Sequence, residues 1–341
     1  MSISALLGDL VALVVLVVLV GMAYQTIGSA RDKRRFPPPG QMVDVGGYCL
    51  HIHSIGEGGP TVVFESALGS SSLSWALVHS HVAKFTRACS YDRAGLGWSG
   101  ADPMPRTAQR IVKELHTLLT NARTKGPYVL VGHSFGGLTA RLYAAQYPEE
   151  VVGMVLVDPA DPSQWLQMTE EQRKRLETGA RLSRRGGILA RLGIARLTAF
   201  LVSAGALGIA RLSVSLVSGG ALNQIAERIL APVKKLPSEL WPMLRAIWVR
   251  PRFFEALASE MECLPESAAQ VAASGDYGDT PLLVLSAGNS STAQMMEQEA
   301  VARLSLNGKI IVVPNSGHWI QLDQPQFVID AIREVFQSAR R

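Results

Sequence analysis

Short apolar segments alternate with amphipathic ones through two parts of the chain. The segments between the apolar runs repeat apolar residues at helical spacing, as in the helix that we expect after the candidate N-cap residue Thr107. Strands that alternate with helices form a parallel sheet with helices on both faces. The sequence therefore predicts an α/β protein with a mostly parallel, doubly wound sheet. Its expected core strands are 61–65, 87–91, 128–131, 154–157, 282–285 and 309–313.

One long stretch interrupts this alternation. From about 159 to 278 the chain has helical patterns and no convincing strand, so we expect a helical cap inserted over the carboxyl edge of the sheet. The expected division is an anchor and linker over 1–40, a core made of 41–158 and 279–341, and the cap over 159–278.

A hairpin is expected before the core strands. Gly46-Gly47 separates two short strand-like segments, and a pair of glycines is typical of a two-residue hairpin turn. His51 and His53 lie on one face of the second segment. With no carboxylate or cysteine partner evident nearby, they indicate a half-exposed strand face rather than a metal site.

The N-terminal segment is long and apolar enough to cross a membrane. Residues 10–23 contain no charged or strongly polar side chain, and the stretch 3–24 reaches the 20 or so residues that span a bilayer core. A cleaved signal peptide is the alternative, because Gly28-Ser29-Ala30 offers small residues for cleavage. The lack of Lys or Arg before the apolar run favours a retained single-pass anchor. Basic residues at 31–35 then place the remaining chain on the cytoplasmic side.

The positive charge of the chain is unevenly distributed. The net charge is +5, and residues 170–211 alone hold nine Lys or Arg against three Glu. This distribution does not form a general nucleic-acid-binding surface. Beside an anchor it fits anionic lipid headgroups, and a solvated helix face is the alternative. The apolar run 197–209 is too short to span a bilayer. It predicts either an interfacial helix or the lining of a substrate pocket, and both favour a lipophilic substrate.

The motif Gly132-His133-Ser134-Phe135-Gly136 lies between the strand 128–131 and a predicted helix. This G-x-S-x-G pattern is typical of a nucleophilic serine on a sharp strand-to-helix turn, where a Cβ on either glycine would collide with neighbouring backbone. A serine hydroxyl needs a base within hydrogen-bond reach. His318, in a loop that follows the last strand, is the candidate general base.

Two further segments resemble the α/β-hydrolase superfamily. The sequence YDRAGLGWS at 91–99 resembles that family's D-R-x-G-x-G-x-S loop, and NSGH at 315–318 resembles the loop that carries its catalytic histidine. The resemblance covers about 42–336 apart from the cap, and it implies the α/β-hydrolase fold with Ser134 as nucleophile. In this fold Asp92 and Arg93 more often tie loops together, so we leave them out of the site.

The acid of the expected triad departs from the family pattern. The family usually places a carboxylate after the strand here at 282–285, but the loop 286–291 contains none. Some members place it one strand earlier, and in this chain Asp158 follows that strand. Asp158 could orient the imidazole of His318 and stabilise its charged form. Asp161 and a Ser–His dyad are the alternatives, and Asp158 could instead cap the loop that enters the insertion.

An oxyanion hole requires two convergent N–H donors. The resemblance implies the backbone of Phe135 as one donor and, by alignment, that of Leu68 as the other, although Ser66-Ala67 replaces the usual His-Gly. These residues together predict hydrolysis of a carboxylic ester through an acyl-serine intermediate. An acyltransferase or perhydrolase would use the same triad, and a non-catalytic receptor would use the same fold. No metal or organic cofactor is implied.

Overall fold

The structure is a computed structural model that describes residues 2–203 and 233–340. An eight-stranded sheet runs through it in the order β1-β2-β4-β3-β5-β6-β7-β8. The pairs β1–β2 and β2–β4 are antiparallel, and the other pairs are parallel. The expected mostly parallel sheet is thereby confirmed. Its strands are β1 (Gln41–Asp44), β2 (Cys49–Ile55), β3 (Thr61–Glu65), β4 (Ala88–Asp92), β5 (Tyr128–His133), β6 (Val151–Val157), β7 (Leu282–Ala287) and β8 (Gly308–Val313).

Helices connect the parallel strands and fill the cap. Between β6 and β7, the described residues of the cap contain helices and no strand. The helices are α1 (Ile3–Arg35), α2 (Ala76–Val82), α3 (Ala108–Asn121), α4 (Phe135–Gln146), α5 (Ser163–Leu166), α6 (Glu170–Arg191), α7 (Ile194–Ser203), α8 (Trp241–Trp248), α9 (Pro251–Glu262), α10 (Leu264–Ala272), α11 (Thr292–Ala302), α12 (Ile320–Asp323) and α13 (Pro325–Ser338).

The sheet separates two apolar cores. Successive side chains of a strand point to opposite faces, so Leu130 of β5 packs with α3 and α4, while Val129 and Val131 pack with α2 and α13. All three side chains are fully buried. Burial on both faces is the reason why the core strands are continuous apolar runs in the sequence.

The hairpin forms as expected, but the interpretation of His51 as half-exposed is wrong. β2 pairs on its second edge with β4, and this pairing places His51 opposite Asp92. His51 is fully buried, and its Nδ1 lies 2.8 Å from Asp92 Oδ2. Local polarity could not indicate this burial, because the covering carboxylate comes from a strand about forty residues later in the chain.

Helix α1 is longer than the apolar stretch that predicted it. It begins after the N-cap residue Ser2 and continues through the basic cluster to Arg35. Its apolar part is long enough to cross a membrane, although a signal sequence would have the same character. At a rise of about 1.5 Å per residue the helix measures roughly 50 Å, well beyond the ~30 Å of a hydrocarbon core. Of the apolar run 197–209, positions 204–209 lie outside the described residues.

Candidate active site

The sheet brings the candidate residues to one edge. β5 and β6 are parallel neighbours, and His133 is paired with Val157. The next residues along the two strands, Ser134 and Asp158, therefore leave the sheet side by side. The carboxyl ends of parallel strands are the usual place for a site in open α/β sheets.

Ser134 occupies a strained turn between β5 and α4. Its φ of 55° and ψ of −118° lie in a region that L-residues rarely adopt. Backbone hydrogen bonds hold the turn: Ser134 N donates to Val157 O at 3.1 Å, and its carbonyl accepts from Gly137 N at 2.9 Å. Strain that the surrounding structure maintains in this way is characteristic of functional positions.

The glycines around Ser134 allow this turn to exist. A Cβ on Gly136 would lie 2.4 Å from Glu65 O, and a Cβ on Gly132 would lie 2.4 Å from Gly136 O. In both cases the obstructing atom belongs to backbone, which cannot move aside cheaply. The G-x-S-x-G spacing therefore has the steric cause that the sequence suggested.

His318 and Asp158 are in direct contact. His318 Nδ1 lies 2.6 Å from Asp158 Oδ2. An ionised carboxylate can only accept, so Nδ1 carries the proton and donates. In the neutral imidazole the opposite nitrogen, Nε2, then has its lone pair available as an acceptor. The side chain of His318 is 48% exposed.

Asp158 reaches across to the neighbouring strand. Its Oδ1 accepts from Gln298 Nε2 at 2.8 Å and from the backbone N–H of Ala287, at the end of β7, at 3.3 Å. Burial acts to raise the pKa of Asp158, but the hydrogen bonds from His318 and Gln298 outweigh it and hold that pKa below its usual value. The carboxylate thus remains ionised, and it bridges the carboxyl ends of β6 and β7.

Asp161 has a different environment. Its Oδ1 accepts from the backbone N–H of Ser163 at 2.8 Å, so its carboxylate stabilises the turn that begins α5. Of the two aspartates at the entrance to the cap, Asp158 is the one paired with His318.

His133 is a site residue that the sequence did not single out. Its Nε2 donates to the carbonyl of His318 at 2.7 Å, and its Nδ1 accepts from Gln321 Nε2 at 2.9 Å. Burial, reinforced by the nearby His318, lowers the pKa of His133 to about 3, so the ring stays neutral. His133 therefore holds the backbone of His318 in place. His133 occupies the first x of G-x-S-x-G. The motif allows any residue at that position, so the sequence alone did not indicate its role.

Two backbone N–H groups are available for an oxyanion. Phe135 N begins α4, and the first N–H groups of a helix lack partners within it. Within the described ranges, neither Phe135 N nor Leu68 N donates a hydrogen bond to the protein. Leu68 also packs against an apolar cluster that includes Phe253 and Leu257 of α9 in the cap.

Arg93 fixes the loop that carries Leu68. Its guanidinium donates to the carbonyls of Ser66 and Ala67 at 2.6 Å each and to Glu260 of α9 at 2.7 Å. Because C=O and N–H point in opposite directions across a trans peptide, the N–H of Leu68 is directed away from Arg93. The substitution of Ser66-Ala67 for His-Gly is thus compatible with an ordered loop. Arg93 ties loops together, as predicted from the sequence.

Among the described residues, Ser134 and His318 are not hydrogen-bonded to each other. In the part of the chain that the structure describes, the Ser134 hydroxyl makes no hydrogen bond. Contacts between nucleophile and base are often long in ligand-free enzymes and tighten on substrate binding. The geometry thus contains a preformed Asp158–His318 pair beside a strained serine.

Curated proteins of similar sequence match only parts of this chain. The uncharacterized protein YqjL of Bacillus subtilis is 40% identical over 117 residues, which cover 34% of this chain and 46% of YqjL. Lipase LipV of Mycobacterium tuberculosis is 35% identical over 115 residues, or 33% of this chain and 42% of LipV. This chain therefore spans less than half the length of each relative.

Solved structures match the fold over most of the chain. A thermophilic esterase from Thermogutta terrifontis superposes with a TM-score of 0.61 at 21% identity, covering 88% of this chain and 99% of the esterase. The model of the alpha/beta hydrolase family matches residues 62–331. That match includes the turn of Ser134 and both members of the Asp158–His318 pair. The chain therefore belongs to the alpha/beta hydrolase family.

Proposed function

We propose that this protein is a serine hydrolase that cleaves a lipophilic carboxylic ester through an acyl-serine intermediate. The observation that carries the proposal is the 2.6 Å contact between His318 Nδ1 and Asp158 Oδ2, at the sheet edge where Ser134 leaves its strand. A carboxylate, an imidazole and a serine hydroxyl in this order form the acyl-transfer triad.

The first chemical step forms the acyl-enzyme. Ser134 Oγ attacks the ester carbonyl while His318 Nε2 accepts its proton, and Asp158 stabilises the imidazolium that results. The carbonyl oxygen becomes an oxyanion, for which the N–H groups of Phe135 and Leu68 are the donors. When the tetrahedral intermediate collapses, the imidazolium gives its proton to the leaving alcohol.

The second step releases the acid. A water molecule takes the place of the alcohol, His318 Nε2 accepts one of its protons, and the resulting hydroxide attacks the acyl carbonyl. Collapse of this second intermediate breaks the bond to Ser134 Oγ, which recovers its proton from His318. The enzyme returns to its starting state with no cofactor consumed.

The lipophilic character of the substrate follows from the surroundings of the site. Trp319, next to His318, packs against an apolar cluster that includes Leu236 and Leu244 of the cap. On the other side Leu68 packs against an apolar cluster that includes Phe253 and Leu257. Apolar cap residues therefore adjoin both the base and the oxyanion loop, which favours an apolar acyl or alcohol group.

Activity should rise with the length of the acyl chain. Each buried methylene contributes about 0.8 kcal/mol, so two additional ones in an apolar pocket raise kcat/KM by roughly tenfold. We expect kcat/KM for p-nitrophenyl octanoate to exceed kcat/KM for p-nitrophenyl acetate by at least about this factor. Both are measured from the initial release of p-nitrophenol below the critical micelle concentration.

The matched control is the same series with Ser134→Ala, which separates enzymatic from spontaneous ester cleavage. Faster turnover of acetate than of octanoate would reject the lipophilic pocket while leaving the esterase intact. No turnover of any ester above the Ser134→Ala background would reject ester hydrolysis itself.

We further propose that α1 is a retained membrane anchor and that 159–278 is the cap of a cytoplasmic hydrolase. Basic residues at 31–35 follow the apolar part of α1, as in segments that keep this flank on the cytoplasmic side. Detection of the mature N-terminus by mass spectrometry distinguishes this anchor from a cleaved signal peptide.

A further inference from the structure

Helix α1 packs against the cap as well as providing an apolar segment. Gly21 of α1 lies against the corner between α6 and α7, where a Cβ would come within 2.3 Å of Leu192 O. Gly193, with a φ of +76°, approaches from the other side, and its own Cβ would lie 2.5 Å from Gly21 O. Side chains are excluded at this crossing, so the backbones of α1 and of the cap approach each other closely here.

A polar network extends this contact along α1. Gln25 is buried, and its amide donates to Val249 O of the cap at 3.0 Å. Arg196 of α7 donates to Gln25 Oε1 at 3.0 Å and lies 2.7 Å from Asp32 Oδ2. A buried glutamine whose partners come from a distant segment indicates a specific interface.

A cavity of about 110 Å³ lies at the end of this interface. It is bounded by the C-terminal part of α1 and by α7 and α8 of the cap. Three arginines and one carboxylate line it, together with aromatic rings. The residues that concern us are Arg35, Arg196, Arg245, Asp32, Tyr24 and Phe200.

The charge of this cavity is not balanced by the protein. Asp32 pairs with Arg196. Across the described portion of the chain, no carboxylate lies within 4.0 Å of Arg35 or Arg245. Next to the lining residue Val249, burial lowers the pKa of Arg250; Asp32 opposes this effect and the nearby Arg196 adds to it. The cavity therefore presents an excess of positive charge that an anion would neutralise.

The cavity also lies at the depth of lipid headgroups if α1 spans the bilayer. A hydrocarbon core of ~30 Å takes about 20 residues of helix, so it ends near Met22 when it begins near Ile3. Tyr24 then lies at the interface, where aromatic residues are enriched. Arg196 contacts α1 between Gln25 and Asp32, roughly 5–15 Å further out at 1.5 Å per residue.

We propose that this cavity binds a phosphate-bearing anion at the membrane surface, with Arg35 and Arg245 as the groups that hold the phosphate. The source of the phosphate that fits best is the headgroup of an anionic phospholipid, because Tyr24 and the exposed Phe200 offer apolar contacts for the adjoining glycerol and acyl region. Arginine suits this role since its planar guanidinium donates two parallel hydrogen bonds to phosphate oxygens. The lipid site rests on the retention of α1 proposed above and not on the chemistry proposed for Ser134.

The test uses the full-length protein, delipidated in detergent and titrated with phosphatidylglycerol or phosphatidylcholine, with bound lipid counted by native mass spectrometry. We expect one phosphatidylglycerol to be retained in preference to phosphatidylcholine. The double variant Arg35→Gln/Arg245→Gln should lose that retention by more than about tenfold, since each arginine near an anionic headgroup contributes about fivefold.

The matched control is Arg31→Gln/Arg34→Gln, which removes the same charge from exposed residues of the same segment that do not line the cavity. This control should retain phosphatidylglycerol. Arg35→Lys/Arg245→Lys, which keeps the charge but loses the paired hydrogen bonds, should retain more of it than Arg35→Gln/Arg245→Gln does. Equal loss in both glutamine variants, or equal retention of the two lipids by the wild type, would overturn the proposal.

A second arm distinguishes the source of the phosphate. Inorganic phosphate is titrated into the lipid-free protein by calorimetry. Binding at least about tenfold weaker than that of phosphatidylglycerol, and lost in Arg35→Gln/Arg245→Gln, supports a lipid headgroup. Binding as tight as that of the lipid, and lost in the same variant, supports the same site with free phosphate as its ligand. If Arg35→Gln/Arg245→Gln changes neither phosphate binding nor lipid binding, the site is refuted.

Discussion

Ser134→Ala should abolish ester hydrolysis, with a loss of about six orders of magnitude in kcat, as found when a serine nucleophile is removed. The hydroxyl of Ser134 supplies the bond to the acyl group, and no other atom of the turn can replace it. The fold should be unaffected, because the strained φ of 55° is maintained by backbone hydrogen bonds that alanine keeps. Initial rates with a p-nitrophenyl ester, together with circular dichroism, measure both expectations.

His318→Ala provides the control for this prediction. Nucleophile and base act as a unit, so His318→Ala should lose about as much activity as Ser134→Ala, and the double variant should be little worse than either. Losses that multiply in the double variant would show that the two side chains act independently. Substantial turnover by Ser134→Ala would reject Ser134 as the nucleophile.

Asp158→Asn should lower kcat by up to about four orders of magnitude near neutral pH. The change keeps the shape of the side chain, but an amide can donate to His318 Nδ1 and thereby favour the tautomer that carries its proton on Nε2. Nε2 could then no longer accept the proton of Ser134. The imidazolium would also lose the carboxylate that now lies 2.6 Å from it.

Asp161→Asn is the matched control for the acid. It is three residues away and equally isosteric, and an asparagine oxygen can still accept from Ser163 N. We expect a change of less than about threefold, because the substitution keeps this hydrogen bond and does not touch His318. A larger loss from Asp161→Asn than from Asp158→Asn would show that the assignment of the acid is wrong.

The strands of the core and the serine turn could be predicted from the sequence. Strands buried on both faces are short apolar runs, so β3 begins and ends where its run does, at Thr61 and Glu65. The turn of Ser134 was equally predictable, because it depends on glycines within two residues of the serine. Both features have local causes.

The pairing of His318 with Asp158 could only be proposed, since the two residues lie 160 positions apart. Asp158 and Asp161 look alike in the sequence. The register that pairs His133 with Val157 distinguishes them, because it places only Asp158 directly at the end of the strand next to Ser134. Gln298 of α11 donates to Asp158 from 140 positions away, so this contact also depends on the fold and not on local sequence.

Contacts between the cap and the rest of the molecule could not be predicted from local patterns. Arg93 lies 167 positions from Glu260, its partner in α9. The close approach of Gly21 to Leu192 brings an apolar helix against a basic region of the cap. Helical periodicity indicates which face of a helix is apolar, but it does not say which distant segment covers that face.

The proposed chemistry is tested most directly by labelling the folded protein with a fluorophosphonate and locating the adduct by peptide mass spectrometry. Only a serine activated by its surroundings reacts at neutral pH. The account predicts a single adduct, on Ser134, that disappears in Ser134→Ala, in His318→Ala and after heat denaturation. A folded protein that remains unlabelled, or one labelled on another serine with Ser134 intact, would contradict it.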